Sequence, residues 1–291
     1  MTAFNDLLGL FQLDVSVYHN ARICGDWQLN APSSGKTCFH MPTQGRCMLD
    51  VPGVGKWQLE EGDLAIFPKE IAHSMYACDE QVGEQQHIPI SQSQQQDGTS
   101  MLCGAVKSAH RSSQHVMAML PQVLVVNGEK AKKWLRPLTE LIVLESLHND
   151  DIESPILKRL SELLFAYALR CYATNFDHES GVLALYVHPR LAPAVQAIHE
   201  SPEKAWQLAS LATQCAMSRT QFAKLFSEVS GYTAMQYVTW WRMQLAWSKL
   251  RGGATVEQTA EEVGYRSVAA FSRAFKSEFG ETVGSVRQLQ R

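Results

Sequence analysis

The sequence predicts an α+β chain in two parts: a strand-rich N-terminal half that ends in helices, and an all-helical C-terminal third. Three observations predict it. The length of 291 residues suits two domains at about 100–200 residues each. Short apolar runs broken by Gly, Pro and Ser fill residues 16 to about 107, the texture of a sandwich or barrel. From residue 188 the apolar spacing is helical almost throughout. Apolar residues at 45% and charged residues at 19% are ordinary for a globular protein with sizeable cores, and they remove disordered, collagen-like and coiled-coil classes. No apolar run reaches the ~18–20 residues of a membrane span. The opening MTAFNDLLGLFQLD lacks the basic region of a signal peptide. The expected location is therefore the cytoplasm, with no membrane partner.

Taken in order, the first elements are strands. Arg46–Val51, Lys56–Leu59 and Leu64–Phe67 lie between turn signals at Pro32–Gly35, Pro52–Gly55, Glu61–Asp63 and Pro68. Residues 85–100, QQHIPISQSQQQDGTS, are polar and low in complexity and read as a mobile loop between two strands. From about 115 to 186 the spacing turns helical. Trp134, Leu138, Leu141, Ile142, Leu144 and Glu145 mark one amphipathic helix; Ile156, Leu157, Leu160, Leu163, Leu164, Tyr167, Ala168 and Cys171 mark a second. Two such helices beside a small barrel serve either as a dimer surface or as closure of the domain's own core. The expected domains are 1–187 and 188–291.

The C-terminal part reads as two helix-turn-helix units. In WQLASLATQCAMSRTQFAKLFS, Trp206–Ser227, Leu208, Leu211, Ala212 and Cys215 share one face. A break falls at Ala216–Met217, and Ser218 is a natural N-cap for a second helix with Phe222, Leu225 and Phe226 inward. Arg219, Thr220, Gln221, Ala223 and Lys224 are left outward. Residues 255–280 repeat the plan: Val256, Thr259, Ala260 and Val263 build a first helix, Gly264 turns, and Ser267 caps a helix with Phe271, Phe275 and Phe279 inward. Val268, Ala269, Ser272, Arg273 and Lys276 face out. The second helix of such a unit is the one that enters a DNA major groove. Between the units, TAMQYVTWWRMQLAWSKL (Thr233–Leu250) is apolar on more than one side, as a helix gripped by both would be, and would set the two groove-reading helices about 34 Å apart. Charge agrees: residues 189–291 carry 12 Lys and Arg against 8 Asp and Glu, whereas the remainder carries 14 against 21. A basic part behind an acidic one is the asymmetry of a chain that meets a polyanion.

The spacing of the GY pair, the SRAFK segment, the following FG and Arg287 resembles the DNA-binding domain of the AraC/XylS family, with Val283 or its neighbours where that family usually has Pro. The upstream CFH (Cys38–His40), GDLAIFPKEIAHSM (Gly62–Met75), LCG (Leu102–Gly104) and HPRL (His188–Leu191) are similar to an AraC subgroup with a cupin sensor. The resemblance implies a cupin-like β-barrel followed by helices, with double-stranded promoter DNA and RNA polymerase as partners. The surplus apolar residues on the two helices after the barrel make them the expected dimerisation segment and the chain a homodimer. The outward faces of the two groove-reading helices make Arg219, Thr220, Gln221, Lys224, Val268, Ser272, Arg273 and Lys276 the expected DNA contacts.

For the signal, three readings stay open: an oxidant or electrophile, a metal, or a small organic effector in the barrel. Gly62, Pro68 and His73 have the spacing of the second cupin metal motif, with Glu70 and Ala77 in place of its usual Gly and Asn. His40 stands alone in the first motif, with Pro42 where a second His is usual. Too few ligands remain for a cupin metalloenzyme. His40, His73 and Cys103 still make a partial N/N/S set of the kind Zn²⁺ accepts; satisfied histidines inside the barrel are the plainer alternative. The seven cysteines (24, 38, 47, 78, 103, 171, 215) are expected to be reduced thiols in the cytosol. Some members of the resembling subgroup respond to oxidants, including reactive chlorine, through an N-terminal Cys paired with one in the Cys-Gly element. Cys103 in MLCG matches the second position and Cys24 lies near the first, so Cys24 and Cys103 are the expected redox-sensing pair.

Overall fold

The computed structural model describes residues 2–9, 13–79, 82–92, 97–108, 117, 120–128, 133, 135–148, 154–175 and 181–288. The chain divides into two compact units: residues 13–109 with 120–176, and residues 1–12 and 110–119 with 177–291. Helix α1 (Thr2–Gly9) thus groups with the C-terminal unit, and the second division falls near 176/177, ahead of the boundary expected at 187/188.

The first unit is built on two antiparallel sheets. Among the described residues, one runs β10 (Leu124–Val126), β6 (Leu64–Phe67), β3 (Thr37–Gln44), β9 (Thr99–Ser108), β1 (Leu13–Cys24), β8 (Gln86–Pro89), and the other β2 (Gln28–Ala31), β7 (His73–Ala77), β4 (Cys47–Val51), β5 (Gly55–Leu59). The β4–β5 hairpin forms where Pro52–Gly55 signalled a turn: Val51 faces Gly55, and Asp50 faces Lys56 with an ion pair of 2.8 Å. Ile23, Trp27, Leu49, Phe67, Met101 and Cys103 pack in the interior. Asp63, buried at the β5–β6 turn, accepts from the backbone N–H of Glu60 at 3.0 Å and of Gly128 at 2.6 Å.

Two expectations are corrected. Within residues 85–100, β8 pairs with Ala21–Cys24 of β1, and a 3-10 turn follows at Ile90–Gln92. It is an edge strand with mostly exposed side chains, held by main-chain bonds that leave no apolar alternation to read. Within residues 115–186, Leu124–Val126 is strand β10 on β6, not helix. Helices α2 (Leu135–His148) and α3 (Pro155–Asn175) follow as expected; Trp134 lies outside the described residues.

The second unit contains α4 (Ala184–Val187), α5 (Ala192–Glu200), α6 (Leu208–Gln214), α7 (Arg219–Ser230), α8 (Ala234–Arg251), α9 (Val256–Glu262), α10 (Val268–Phe279) and α11 (Val283–Gln288). Thr233 and Gln236 close a capping box at the start of α8, and Lys249 and Arg251 stand in its last turn, where cations complement the helix dipole. This helix is apolar on more than one side because it serves two cores. Its first half sets Tyr237 against Phe226 and Trp241 against His199, the latter rings stacked at 3.5 Å. Its second half packs Met243, Ala246, Trp247 and Leu250 with Phe271, Phe275 and Phe279. Helix α1 docks on α4 and α5, with Phe4 edge-on to Tyr186 and the Ala3 N–H donating to Gln196 Oε1 at 3.1 Å.

Candidate functional site

The two helix-turn-helix units are built by the same local rules. Ser218 accepts from the Gln221 backbone N–H and Ser267 from that of Ala270, so α7 and α10 each start at a capped serine. Each ends on a glycine at positive φ, Gly231 and Gly280. Inward, Phe222 and Phe226 on α7 and Phe271, Phe275 and Phe279 on α10 are buried, each contributing about 1.5–3 kcal/mol to its core. The turns between the paired helices also match. Ala216 (φ +51) and Gly264 (φ +82) occupy the same place, one residue past the helix C-cap, where only left-handed backbone reverses the chain so tightly.

The outward faces carry the residues expected to meet DNA. Arg219, Thr220, Gln221 and Lys224 are exposed on α7, and Val268, Arg273 and Lys276 on α10, with Ser272 half-buried. Two details modify their roles. Gln221 Oε1 accepts from the Ser218 hydroxyl at 3.2 Å, so this side chain is engaged as a cap and only its amide NH₂ is left to offer. Lys224 sits 3.8 Å from Glu228, an exposed pair worth little. Neither helix has an acidic residue in its first turn, leaving two positive dipole ends, the kind that bind phosphate. Arg266, exposed one residue before the Ser267 cap, stands at such an end, ahead of the apolar-periodic stretch that marks the helix in the sequence.

Inside the barrel, strand alternation turns Cys38 and His40 to one face of β3. The Cys38 sulfur lies 3.7 Å from His40 Nε2 and 3.4 Å from Glu70 Oε1, and His40 Nε2 is 3.1 Å from His73 Nε2. His73 donates from Nδ1 to the Ile71 carbonyl at 2.9 Å, and its ring stacks on Phe67. Burial, with His73 beside it, holds the His40 imidazole down at about 3. Beside the barrel, a cavity of about 740 Å³ is lined by Thr43, Glu60, Glu61, Arg136, Thr139 and Glu140, among others.

Comparison with known proteins fits this division. A family described as Cupin matches residues 3–174, and one described as Helix-turn-helix domain matches residues 211–289. The chain is 30% identical over 297 residues to the "RCS-specific HTH-type transcriptional activator RclR" of Escherichia coli, covering 100% of this chain and 99% of the relative. It belongs to the AraC-type transcription regulators with a cupin sensor domain. It is also 36% identical over 157 residues to the "HTH-type transcriptional regulator AlkR" of Acinetobacter baylyi, spanning 54% of this chain and 51% of that one. Among solved structures, fatty-acid-bound ToxT of Vibrio cholerae aligns with 94% of both chains at 12% identity and a TM-score of 0.39. By the helix-turn-helix match and its curated relatives, this AraC-type chain is a DNA-binding transcription regulator.

In this regulator the expected sensor residues are not all brought together. His19 of β1 faces Cys103, and Ile23 faces Thr99, so Cys24 lies five positions along the ladder from the residue opposite Cys103. At ~3.3 Å per residue that is about 16 Å, against the ~7 Å Cα limit for a disulfide. The Cys24–Cys103 pair is therefore not formed in this conformation. Cys103 is also buried, which pushes its thiol well above the usual range and suppresses the reactive thiolate. Burial likewise raises Cys47 to about 12. Of the expected metal ligands His40, His73 and Cys103, only His40 belongs to the group of ligand atoms that converge. Cys103 is opposite His40 in the register, but the ligand atoms that converge within 4.8 Å of one another belong to Cys38, His40 and Glu70. Spacing alone could not select between two cysteines on adjacent inward-facing strands. Among the described residues, no helix is long and apolar enough to cross a membrane.

Proposed function

We propose that this regulator reads promoter DNA in the cytoplasm as a homodimer, inserting α7 and α10 into successive major-groove turns and acting on RNA polymerase there. The carrying observation is the pair of equivalent capped helices with exposed Arg219, Thr220 and Lys224 on one and Val268, Arg273 and Lys276 on the other. An Arg fork reads guanine edges, whereas Lys more often meets phosphate. Self-association is supported by apolar side chains left outward in the first unit, Leu141 and Leu144 on α2 and Ile156 and Leu163 on α3, each about half exposed. The test is gel retardation on the chain's own upstream region. Arg273→Ala is expected to cost about 1–3 kcal/mol on the specific site and relax base preference, and Lys276→Ala to weaken all sequences about equally. Unchanged binding by both variants at physiological salt refutes the assignment.

Identity to an RCS-specific activator supports an oxidant as the signal, read by a thiol whose exposure requires the barrel to open, since Cys103 is enclosed. The cavity beside α2 favours a second reading, a small organic effector held between Glu61 and Thr139.

A further inference from the structure

We propose that Cys38, His40, Glu70 and His73 bind one divalent transition-metal ion of the Zn²⁺ class inside the barrel. The inference deepens the reading of the barrel as the sensor. Alternation on β3 supplies a thiol and an imidazole two residues apart on the inward face. The chain leaving β6 then brings Glu70 and, at the start of β7, His73. Zn²⁺ takes sulfur at ~2.3 Å and nitrogen or oxygen at ~2.0–2.2 Å in a tetrahedron, so neighbouring ligand atoms stand about 3.3–3.6 Å apart. The observed separations are 3.7 Å from Cys38 to His40 and 3.4 Å from Cys38 to Glu70, and the ligand atoms of these three residues all lie within 4.8 Å of one another. His73 Nε2 is 3.1 Å from His40 Nε2 but outside that group, so its ring has to shift toward Cys38 and Glu70 to complete the tetrahedron.

The supporting contacts are those of a ligand set held in place. A metal-bound histidine usually donates its other N–H to a carbonyl or carboxylate, as His73 Nδ1 does to Ile71; that leaves the His73 Nε2 lone pair facing His40. Glu70 is clamped by the loop at 33–36. Its N–H donates to the Lys36 carbonyl, its carbonyl accepts from the Gly35 N–H and the Ser33 hydroxyl, and its second carboxylate oxygen accepts from Ser34. The remaining oxygen is turned to Cys38. Phe67 stacks on His73 and meets His40 edge-on, fixing both rings. Without metal, the Cys38 thiol donates to Glu70 and His40 donates from Nε2 to His73. On binding, the Cys38 proton leaves to solvent and the His40 proton moves to Nδ1. Thiolate and carboxylate then balance the ion's two charges. A thiolate with two imidazoles selects Zn²⁺-like ions over Mg²⁺ or Ca²⁺.

The full-length protein, stripped with chelator, is titrated with Zn²⁺ against a chromophoric competitor and with Co²⁺ by absorption. One ion per chain and a sulfur-to-cobalt charge-transfer band are expected. Cys38→Ser should abolish the band and weaken Zn²⁺ binding more than 10-fold. Ser34→Ala, which removes only a bond holding Glu70, should weaken Zn²⁺ about 10–100-fold and keep the band. Being exposed, Ser34 carries little risk to folding. Cys103→Ser and Cys24→Ser should change neither reading. No retained ion, a band that survives Cys38→Ser, a band lost in Cys103→Ser, or Ser34→Ala indistinguishable from wild type would each overturn the site. DNA retardation with the same samples separates that failure from failure of the regulator reading.

Discussion

His199 couples the stability of the DNA-binding unit to acid. Its ring is enclosed by Trp241, stacked at 3.5 Å, and by the hydroxyls of Tyr237 at 2.9 Å and Tyr186 at 3.5 Å, with the Asp6 carboxylate of α1 at 3.7 Å from Nδ1. Burial holds the imidazole down at about 3, against ~6.5 in an unfolded chain. The folded unit therefore keeps His199 neutral while the unfolded chain takes up a proton as pH falls through ~6.5. Its stabilising effect is whole above that pH and is lost at about 1.4 kcal/mol per pH unit below it, until the folded site itself protonates near pH 3. From pH 7 to pH 5 the loss is about 2 kcal/mol, a large part of the ~5–15 kcal/mol a domain holds. Imidazole proton resonances of the full-length protein followed by NMR should show one His in this unit that does not titrate down to pH 4. Denaturant unfolding read by tryptophan emission should show the acid loss, reduced by about 2 kcal/mol in His199→Gln. A His199 that titrates near 6.5, or equal pH slopes in wild type and variant, refutes the reasoning.

Three further outcomes are expected. Ala216 at φ +51 carries a left-handed penalty of ~1–2 kcal/mol, so Ala216→Gly should raise stability by about 0.5–1 kcal/mol in thermal melts. Gly264→Ala should lower it, because a Cβ there meets the Glu203 carbonyl at 2.6 Å. Full-length protein should sediment as a dimer at tens of micromolar and Leu144→Glu with Leu163→Glu as a monomer; a wild-type monomer counts against the α2–α3 interface. Peptide mapping after mild hypochlorite should find no Cys24–Cys103 disulfide in folded protein, and its recovery in high yield would show that β1 and β9 separate.

The C-terminal unit was legible because its determinants are local. A serine cap, a phenylalanine every fourth residue and a turn at Ala216 or Gly264 can each be read within a dozen residues, and the structure shows them at Ser218, Ser267 and the buried faces of α7 and α10. The strands with buried faces were legible too: Leu64–Phe67 is buried at every position, so its apolar run is its signature. Edge strand β8 was not, because main-chain pairing to β1 needs no particular side chains. Short β10 was misread as helix because three apolar residues fit either period.

The sensor thiols failed to read for a reason that also ranks the cysteines. Which residues face each other across β1 and β9 depends on register, and a bulge between Val17 and His19 shifts it with no mark in composition. With the register known, Cys24 stands at the far end of its strand from Cys103, while Cys38, His40 and Cys103 share one interior face. Sulfur chemistry in the barrel then divides by neighbour. Cys103 has apolar surroundings and the Cys47 thiol nearby, and burial keeps it protonated. Cys38 is also kept protonated by burial and by Glu70, yet a cation held by that carboxylate and the two imidazoles would stabilise its thiolate. The thiol that burial makes a poor nucleophile is thus the one whose neighbours suit it to be a metal ligand, and an oxidant that reaches it would meet a sulfur already committed to that ion.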